Sequence, residues 1–306
     1  MDKAAVNGHV EVVKWLSQNR SEGCSSWALD MVASKSAQGS NDMTAKAFNK
    51  KQFEIIQWMY QNSTSRCTSA AMAGAAANEN LDMLKWLHKS SSAGFTSKAM
   101  DMAAENGHLD IIEWLHSLKY STCTTAGMDN AASNGHLDIV KWLHMNRSEG
   151  CTHAAMDRAA ANGHLNVLTW LHQNRLEGCT TNALDSAADS GNFKVAKWLL
   201  ANRSEGVAST ALGKAAKNGH LHLVRYLSPR RTVQELVSGV REAAEHEHFE
   251  VVLFLDTLCL KDRHVDSIQP VLRRAFLSFR GDNAFRRWLD ENSKDEVGPR
   301  VIMLPQ

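Results

Sequence analysis

The stretch NGHLDIVKWLHMNRSEGCT, Asn134 to Thr152, crowds together residue types that do chemistry: His136, His144, Cys151 and, between them, Trp142. Two imidazoles and a thiol are donors for a zinc ion, and a thiolate beside a histidine is the nucleophile pair of a cysteine hydrolase. Both chemistries need side chains that converge. On one helix, His136 and His144 stand eight residues apart, about 12 Å of rise, too far to share a metal.

The same letters recur along the chain. NGHLNVLTWLHQNRLEGCT begins at Asn162 and NGHLDIIEWLH at Asn106, each 28 residues from the copy at Asn134. The aromatic residue of this pattern is Trp58, Trp86, Trp114, Trp142, Trp170 and Trp198, then Tyr226 and Phe254, always in steps of 28. Trp15 lies 43 residues before this series and Trp288 lies 34 after it, which makes ten copies. A fixed period between about 20 and 50 residues is the signature of a repeat array. In such an array each unit packs on its neighbours, so the length of 306 residues sets no domain count.

One unit reads as two helices. Thr152 stands before HAAMDRAAAN and can accept from backbone N–H groups two or three residues on. Ala155, Met156, Ala159 and Ala160 share one helical face. Asn162-Gly163 ends the first helix, and HLNVLTWLHQN forms a second. Arg175, in the closing RLEG, suits the negative end of that helix. Helices of about eleven residues are marginal alone, so stacking must hold them. A buried tryptophan covers about 200 Å², and the tryptophan column is expected to be the core seam.

The recurrent helix–turn–helix, as in AAVNGHVEVVKWL (Ala4 to Leu16) and AASNGHLDIVKWL (Ala131 to Leu143), resembles the second half of the ankyrin repeat. The resemblance implies an all-α, ankyrin-like helix–turn–helix solenoid of about ten repeats, with the first helices lining a concave surface used for partners. It also implies a structural role for the histidine after glycine at His9, His108, His136, His164 and His220. Two departures stand out. No unit carries the family's Thr-Pro-Leu-His; Asp129, Asp157 and Asp185 stand roughly where that histidine would. The loop after the tryptophan helix is only NRSEG, too short for the family's β-hairpin finger. The array is expected over residues 1–290, irregular at 34–43 and 257–270, with a disordered tail at 291–306.

The other chemically tempting residues also obey the period. Cys24, Cys67, Cys123, Cys151 and Cys179 each follow the aromatic anchor by nine, where Phe95 and Val207 stand in other units. Exchange with Phe and Val marks a packing position. Units about 10 Å apart hold such thiols beyond disulfide or shared-zinc reach. His88, His116, His144 and His172 suit a polar helix surface. Asn19, Asn62, Asn146 and Asn202 match the N-glycosylation pattern but recur at a helix end, as structural positions. Phosphate loops, H-E-x-x-H, G-x-S-x-G and paired CxxC motifs do not occur. No catalytic residue, metal ligand or cofactor is expected.

Charge narrows the partner. With 34 basic and 33 acidic residues the net charge is +1, which argues against nucleic acid as the main partner. Arg273, Arg274, Arg280, Arg286 and Arg287 mingle with acidic residues, as on a solvated face. No apolar run reaches the roughly 20 residues of a membrane span, and the N-terminus is not a signal peptide. A monomer inside the cell, in the cytoplasm or the nucleus, is expected. Met1, Asp2, Ala4 and Ala5 align with Met128, Asp129, Ala131 and Ala132. The chain thus opens inside a helix, as a fragment of a longer array would.

What varies between units is the candidate site. Positions sixteen, twelve and nine before the anchor form a stripe on the first helix. It reads Lys98, Met102 and Glu105; Ala126, Asn130 and Ser133; Ala154, Arg158 and Ala161; Asn182, Ser186 and Asp189; Thr210, Lys214 and Lys217. Two readings stand: solvent-facing drift, or a contact strip for one partner protein. Asp129, Asp157 and Asp185 are further expected to pair with Arg147, Arg175 or Arg203 at the unit edges. The function expected is a scaffold or adaptor that binds a protein along the concave face. The alternative is the interaction fragment of a larger enzyme or effector whose active domain lies elsewhere.

Overall fold

Several units start where a threonine turns extended backbone into helix. In the computed structural model, Thr68, Thr124, Thr152 and Thr180 accept from the N–H two residues on, all at 3.1 Å. The hydroxyl satisfies one of the helix's orphan donors, as the sequence suggests. At the other end Gly107, Gly135 and Gly163 take φ of 88°, 81° and 80°, a left-handed turn that a Cβ would oppose. The chain then re-enters a second helix within three residues.

The structure describes residues 1–21, 23–35, 43–92, 94–118, 122–204 and 210–261. Among these residues every regular element is helical, and they form nine pairs. The pairs are α1 (Asp2–Val6) with α2 (Val10–Asn19), α3 (Ser26–Ser34) with α4 (Met43–Asn62), and α5 (Ser69–Ala77) with α6 (Leu81–Ser90). Then come α7 (Ser97–Asn106) with α8 (Leu109–Ser117), α9 (Thr125–Ser133) with α10 (Leu137–Asn146), and α11 (His153–Ala161) with α12 (Leu165–Asn174). Last are α13 (Thr181–Asp189) with α14 (Phe193–Asn202), α15 (Ala211–Lys217) with α16 (Leu221–Leu227), and α17 (Val233–Glu245) with α18 (Phe249–Lys261). A 3₁₀ turn, Ser228–Arg230, replaces the usual loop after α16. The unit around Trp288, the arginines from Arg273 to Arg287, the tail 291–306 and most of 257–270 lie outside the described residues.

Two compact units divide the chain: Met1–Ala159 with His164–Cys179, and Ala160–Gly163 with Thr180–Gln306. In the first, the odd-numbered helices pack in a row, α1 on α3, α3 on α5, α5 on α7 and α7 on α9. In the second, α13 packs on α15 and α15 on α17. Small residues allow the close approach. A Cβ on Gly74 would fall 1.8 Å from the Ser34 hydroxyl, so α3 and α5 touch there through glycine.

The core is alanine from the first helices and branched aliphatics from the second. In α7, Ala99, Met100, Ala103 and Ala104 are all buried, at the positions the sequence assigns to the apolar face. Against them lie Ile111, Ile112 and Leu115 of α8, each 0% exposed. The same three positions hold Ile139, Val140 and Leu143, then Val167, Leu168 and Leu171, all at 2% or less.

The tryptophan column is not the seam. Trp86, Trp114, Trp142 and Trp170 are half-buried, and Trp15 is 58% exposed. The residues three and two before the anchor and one after it already fill the core-facing stripe of the second helix, so the indole lies at its rim. There it meets a histidine of the preceding repeat edge-on: His116 and Trp142 at 5.2 Å, His144 and Trp170 at 5.2 Å, His88 and Trp114 at 6.0 Å. His88, His116 and His144 of the second histidine set are therefore partners of an indole as well as a surface row.

Of the irregular segment 34–43, residues 36–42 lie outside the described residues. Ser34 closes α3 and Met43 opens α4, which at 20 residues is twice the length of α6. Part of the insertion is thus an extension of the second helix.

Candidate functional site

Recurring polar residues at several positions of the repeat are bonded within the scaffold, and that separates them from a reactive site. The first-helix aspartates reach forward to the capping residue of the next repeat. Asp129 accepts from the Thr152 amide at 2.8 Å and hydroxyl at 2.7 Å; Asp101 holds Thr124 at 2.9 and 2.8 Å; Asp30 holds Thr68 at 2.8 and 2.6 Å. Asp2 with Ser25 and Asp185 with Thr210 repeat the bond. The expected aspartate–arginine pairing is thereby corrected at Asp129 and Asp185. Arg147 and Arg175 instead turn to Glu149 and Glu177, two residues on in their own loops. A carboxylate two residues away in a tight loop is cheaper to reach than one on the next helix pair.

The histidines after glycine reach backward. The ring of His136 covers Gly107 and that of His164 covers Gly135; a Cβ on either glycine would meet the ring at 2.7 and 2.6 Å. His108 Nε2 lies 3.0 Å from the Ala77 carbonyl, and His220 Nε2 3.0 Å from that of Asp189. Asn192, in the same register, donates to the Ala161 carbonyl at 2.7 Å. The structural role implied for this set holds at these positions. The loop asparagines are likewise occupied: Asn19, Asn62, Asn146, Asn174 and Asn202 donate to the carbonyl of the anchor tryptophan, at 2.8–2.9 Å.

The cysteines are packing residues. Cys24, Cys67, Cys123, Cys151 and Cys179 are 5–8% exposed and unbridged. Burial, with the nearby Asp30 charge, pushes the Cys67 thiol up to about 12. Burial does the same at Cys151, up to about 11. Cys123 is raised by burial and by its bond to Asp101, where Sγ lies 3.2 Å from Oδ1. A thiol so far from its thiolate form is a poor nucleophile at neutral pH. Among the described residues, no three His, Cys, Asp or Glu side chains converge as metal ligands would.

The variable strip lies on the surface of the first helices. Lys98, Arg158, Asn182, Asp189 and Lys217 are exposed; Met102, Glu105, Asn130, Ser133, Ser186 and Lys214 are half-exposed. Part of it is wired across repeats. Arg158 donates to Asn130 Oδ1 at 3.0 Å, and Asn130 donates to Glu105 Oε2 at 3.2 Å. Three successive first helices, α7, α9 and α11, thus carry one polar chain. Asn218 donates to Asp189 Oδ1 at 3.0 Å in the second compact unit. Lys98 stands outside that chain.

One strip residue escapes the sequence count. Trp27, in α3, is 56% exposed. It follows Cys24 by three, as Ala154 follows Cys151, so it holds the sixteen-before position. Counting back from Trp58 misses it because the insertion intervenes. Counting forward from the cysteine would find it. An exposed indole is a strong contact residue at protein interfaces.

Family comparison agrees with this geometry. The profile of ankyrin repeats in three copies matches residues 128–209, and that of ankyrin repeats in many copies matches 67–116 and 100–144. Residues 67–209 are ankyrin repeats. Ankyrin repeats indicate a module for protein–protein interaction. No curated protein matches the chain. Among the described residues, no helix is long and apolar enough to cross a membrane.

Proposed function

We propose that this ankyrin-repeat chain is a non-enzymatic scaffold or adaptor that holds a partner protein along the surface of its first helices. One contrast supports the reading. Residue types able to do chemistry are tied up between repeats, as with Asp129 on Thr152 and the buried Cys151. The strip residues, whose identity changes from repeat to repeat, remain accessible. A surface that binds one partner needs such variation, because specificity is a difference in contacts. Trp27 and Met102 add apolar area, and Lys98 and Lys217 add charge.

The test is a paired capture from native cell extract. One bait carries Trp27→Ala, Lys98→Glu and Lys217→Glu; the other carries matched changes on the loop side, Met145→Ala and Leu176→Ala. The strip bait is expected to lose proteins that both the unmutated chain and the loop bait retain. Identical capture by all three, with circular dichroism showing each folded, removes the strip as the binding surface.

A further inference from the structure

Five asparagine–glycine steps stand in the turns between first and second helices, at Asn7, Asn106, Asn134, Asn162 and Asn218. Asparagine before glycine is where a chain can attack itself, because no side chain shields the following amide nitrogen. That nitrogen has to approach the carboxamide carbon to about 3–3.5 Å. Backbone conformation does not separate the steps. The φ and ψ angles are −94° and 7° at Asn7, −99° and 4° at Asn134, and −101° and 8° at Asn218. In each, the glycine N–H bonds back to the helix, at 3.0 Å for Gly8, 3.3 Å for Gly135 and 3.2 Å for Gly219.

The side chains do separate them. Asn134 Nδ2 donates to the Glu105 carbonyl at 2.6 Å, Asn218 Nδ2 to that of Asp189 at 3.0 Å, and Asn106 Nδ2 to that of Met102 at 2.8 Å. Turning the carboxamide onto the glycine nitrogen breaks these bonds. Asn7 is exposed, and among the described residues the one bond of its side chain is on the oxygen, to which Lys35 Nζ donates at 3.4 Å. That oxygen gains negative charge when the carbon is attacked, so the ammonium stabilises what the attack produces.

Gly8 is also less confined. A Cβ on Gly107, Gly135 or Gly219 would meet a histidine ring at 2.7, 2.6 and 2.5 Å, whereas at Gly8 the nearest atom is Gln52 Nε2 at 3.5 Å. Helix α1 before it has five residues and no side-chain cap bond, while α9 has nine and the Thr124 cap. A short, uncapped helix opens more readily. Opening releases the Gly8 nitrogen from the Ala5 carbonyl. Gly8, with His9, Glu11 and Glu54, lines a cavity of about 380 Å³, roomy enough for water.

We propose that Asn7-Gly8 is a self-modification site, at which Asn7 becomes isoaspartate in the folded chain ahead of Asn106, Asn134 and Asn218. The Gly8 nitrogen bonds to Asn7 Cγ, its proton passes through water to Nδ2, and the Cγ–Nδ2 bond breaks to release ammonia. Water then opens the resulting succinimide at either carbonyl, giving isoaspartate or aspartate. Isoaspartate routes the main chain through the former side chain, one methylene longer, and places a negative charge beside Lys35. The turn from α1 to α2 is altered while the later turns stay intact. The site stands whether or not the first-helix strip binds anything.

The test is ageing of the full chain at neutral pH. Conversion at each asparagine is read by peptide mass spectrometry, with isoaspartate scored by enzymatic carboxyl methylation. The rate in urea divided by the rate in the folded chain gives the protection at each site and cancels the influence of neighbouring residue type. Protection is expected to be about tenfold smaller at Asn7 than at Asn134 or Asn218, the weight of one hydrogen bond. Lys35→Met should slow Asn7 in the folded chain about tenfold, short of the roughly hundredfold that a fully preorganised donor contributes, and leave its rate in urea unchanged. Equal protection at Asn7 and Asn134 overturns the site, and the unmutated chain decides this alone. An unchanged Asn7 rate in folded Lys35→Met overturns the lysine's part in it.

Discussion

Repeats α9–α12 and repeats α1–α4 occupy the same positions with different success. In the first region each inter-repeat device is complete: Asp129 holds Thr152, His164 covers Gly135, and Trp170 meets His144. In the second, Asp2 still holds Ser25, but Trp15 is 58% exposed. Gln52 stands where the other units carry His or Asn after the turn. It lies over Gly8 as His136 lies over Gly107, yet it is fully buried with both amide atoms unpaired. The unit of stability in this array is therefore a pair of positions in neighbouring repeats. A residue that is stabilising in one register partner is neutral or costly in another.

The sharpest way to break the comparison is through the core that both regions share. Leu143→Ala empties a fully packed site and should cost about 2–5 kcal/mol, read from urea unfolding by circular dichroism. Trp142→Ala removes a half-buried ring and should cost about 2 kcal/mol, roughly half the figure for a fully buried tryptophan. Trp15→Ala should stay within about 1 kcal/mol. Equal losses at the two tryptophans would restore the indole column as the seam.

The aspartate rung comes next. Asp129 is 6% exposed and carries two hydrogen bonds to Thr152. Asp129→Ala should cost about 1–3 kcal/mol and speed amide exchange at Thr152 and Ala154. Asp2→Ala, whose bonds to Ser25 are exposed, should cost less.

The comparison is sharpened by repair. Gln52→His should let the ring reach the Val6 carbonyl, as His108 reaches Ala77, and raise stability by about 1 kcal/mol. Amide exchange in α2 and α4 is the measurement, and faster exchange there would refute the pairing argument.

The smallest effect is electrostatic. The bond from Arg175 holds the Glu177 carboxyl below its ordinary value, against the opposing pull of burial. A lowered folded-state pKa gives stability that is complete above the unfolded value, about 4.3, and fades as pH falls through the folded one. The pair is roughly a quarter exposed, so the gain is at most about 1 kcal/mol. Glu177→Gln should flatten the acid limb of stability below about pH 4.3 and leave neutral pH little changed.

The helices and their buried faces were legible because alanine at the right spacing allows one packing solution. The capping role of Thr152 and the packing role of Cys151 were legible for a similar reason, since each is a local or compositional signal. The tryptophans misled. Recurrence marks a position as constrained but does not say on which side of the helix the constraint acts, and the aliphatic triplet around Trp142 already claims the core. The partner of Asp129 was hidden because two candidates, Arg147 and Thr152, lie at similar distances along the chain. Only the stacking of α9 on the next repeat selects Thr152. Within the strip, Trp27 was lost to an insertion that broke the count.

The links between repeats also have a direction. Asp2, Asp30, Asp101, Asp129 and Asp185 point to the following repeat, and His108, His136, His164 and His220 to the preceding one. Such head-to-tail couplings make the 28-residue block interchangeable. Excising or copying one whole block between repeats that carry both residues, such as α7–α10, rejoins ends that already fit, so that part of the array can change length in a single genetic step.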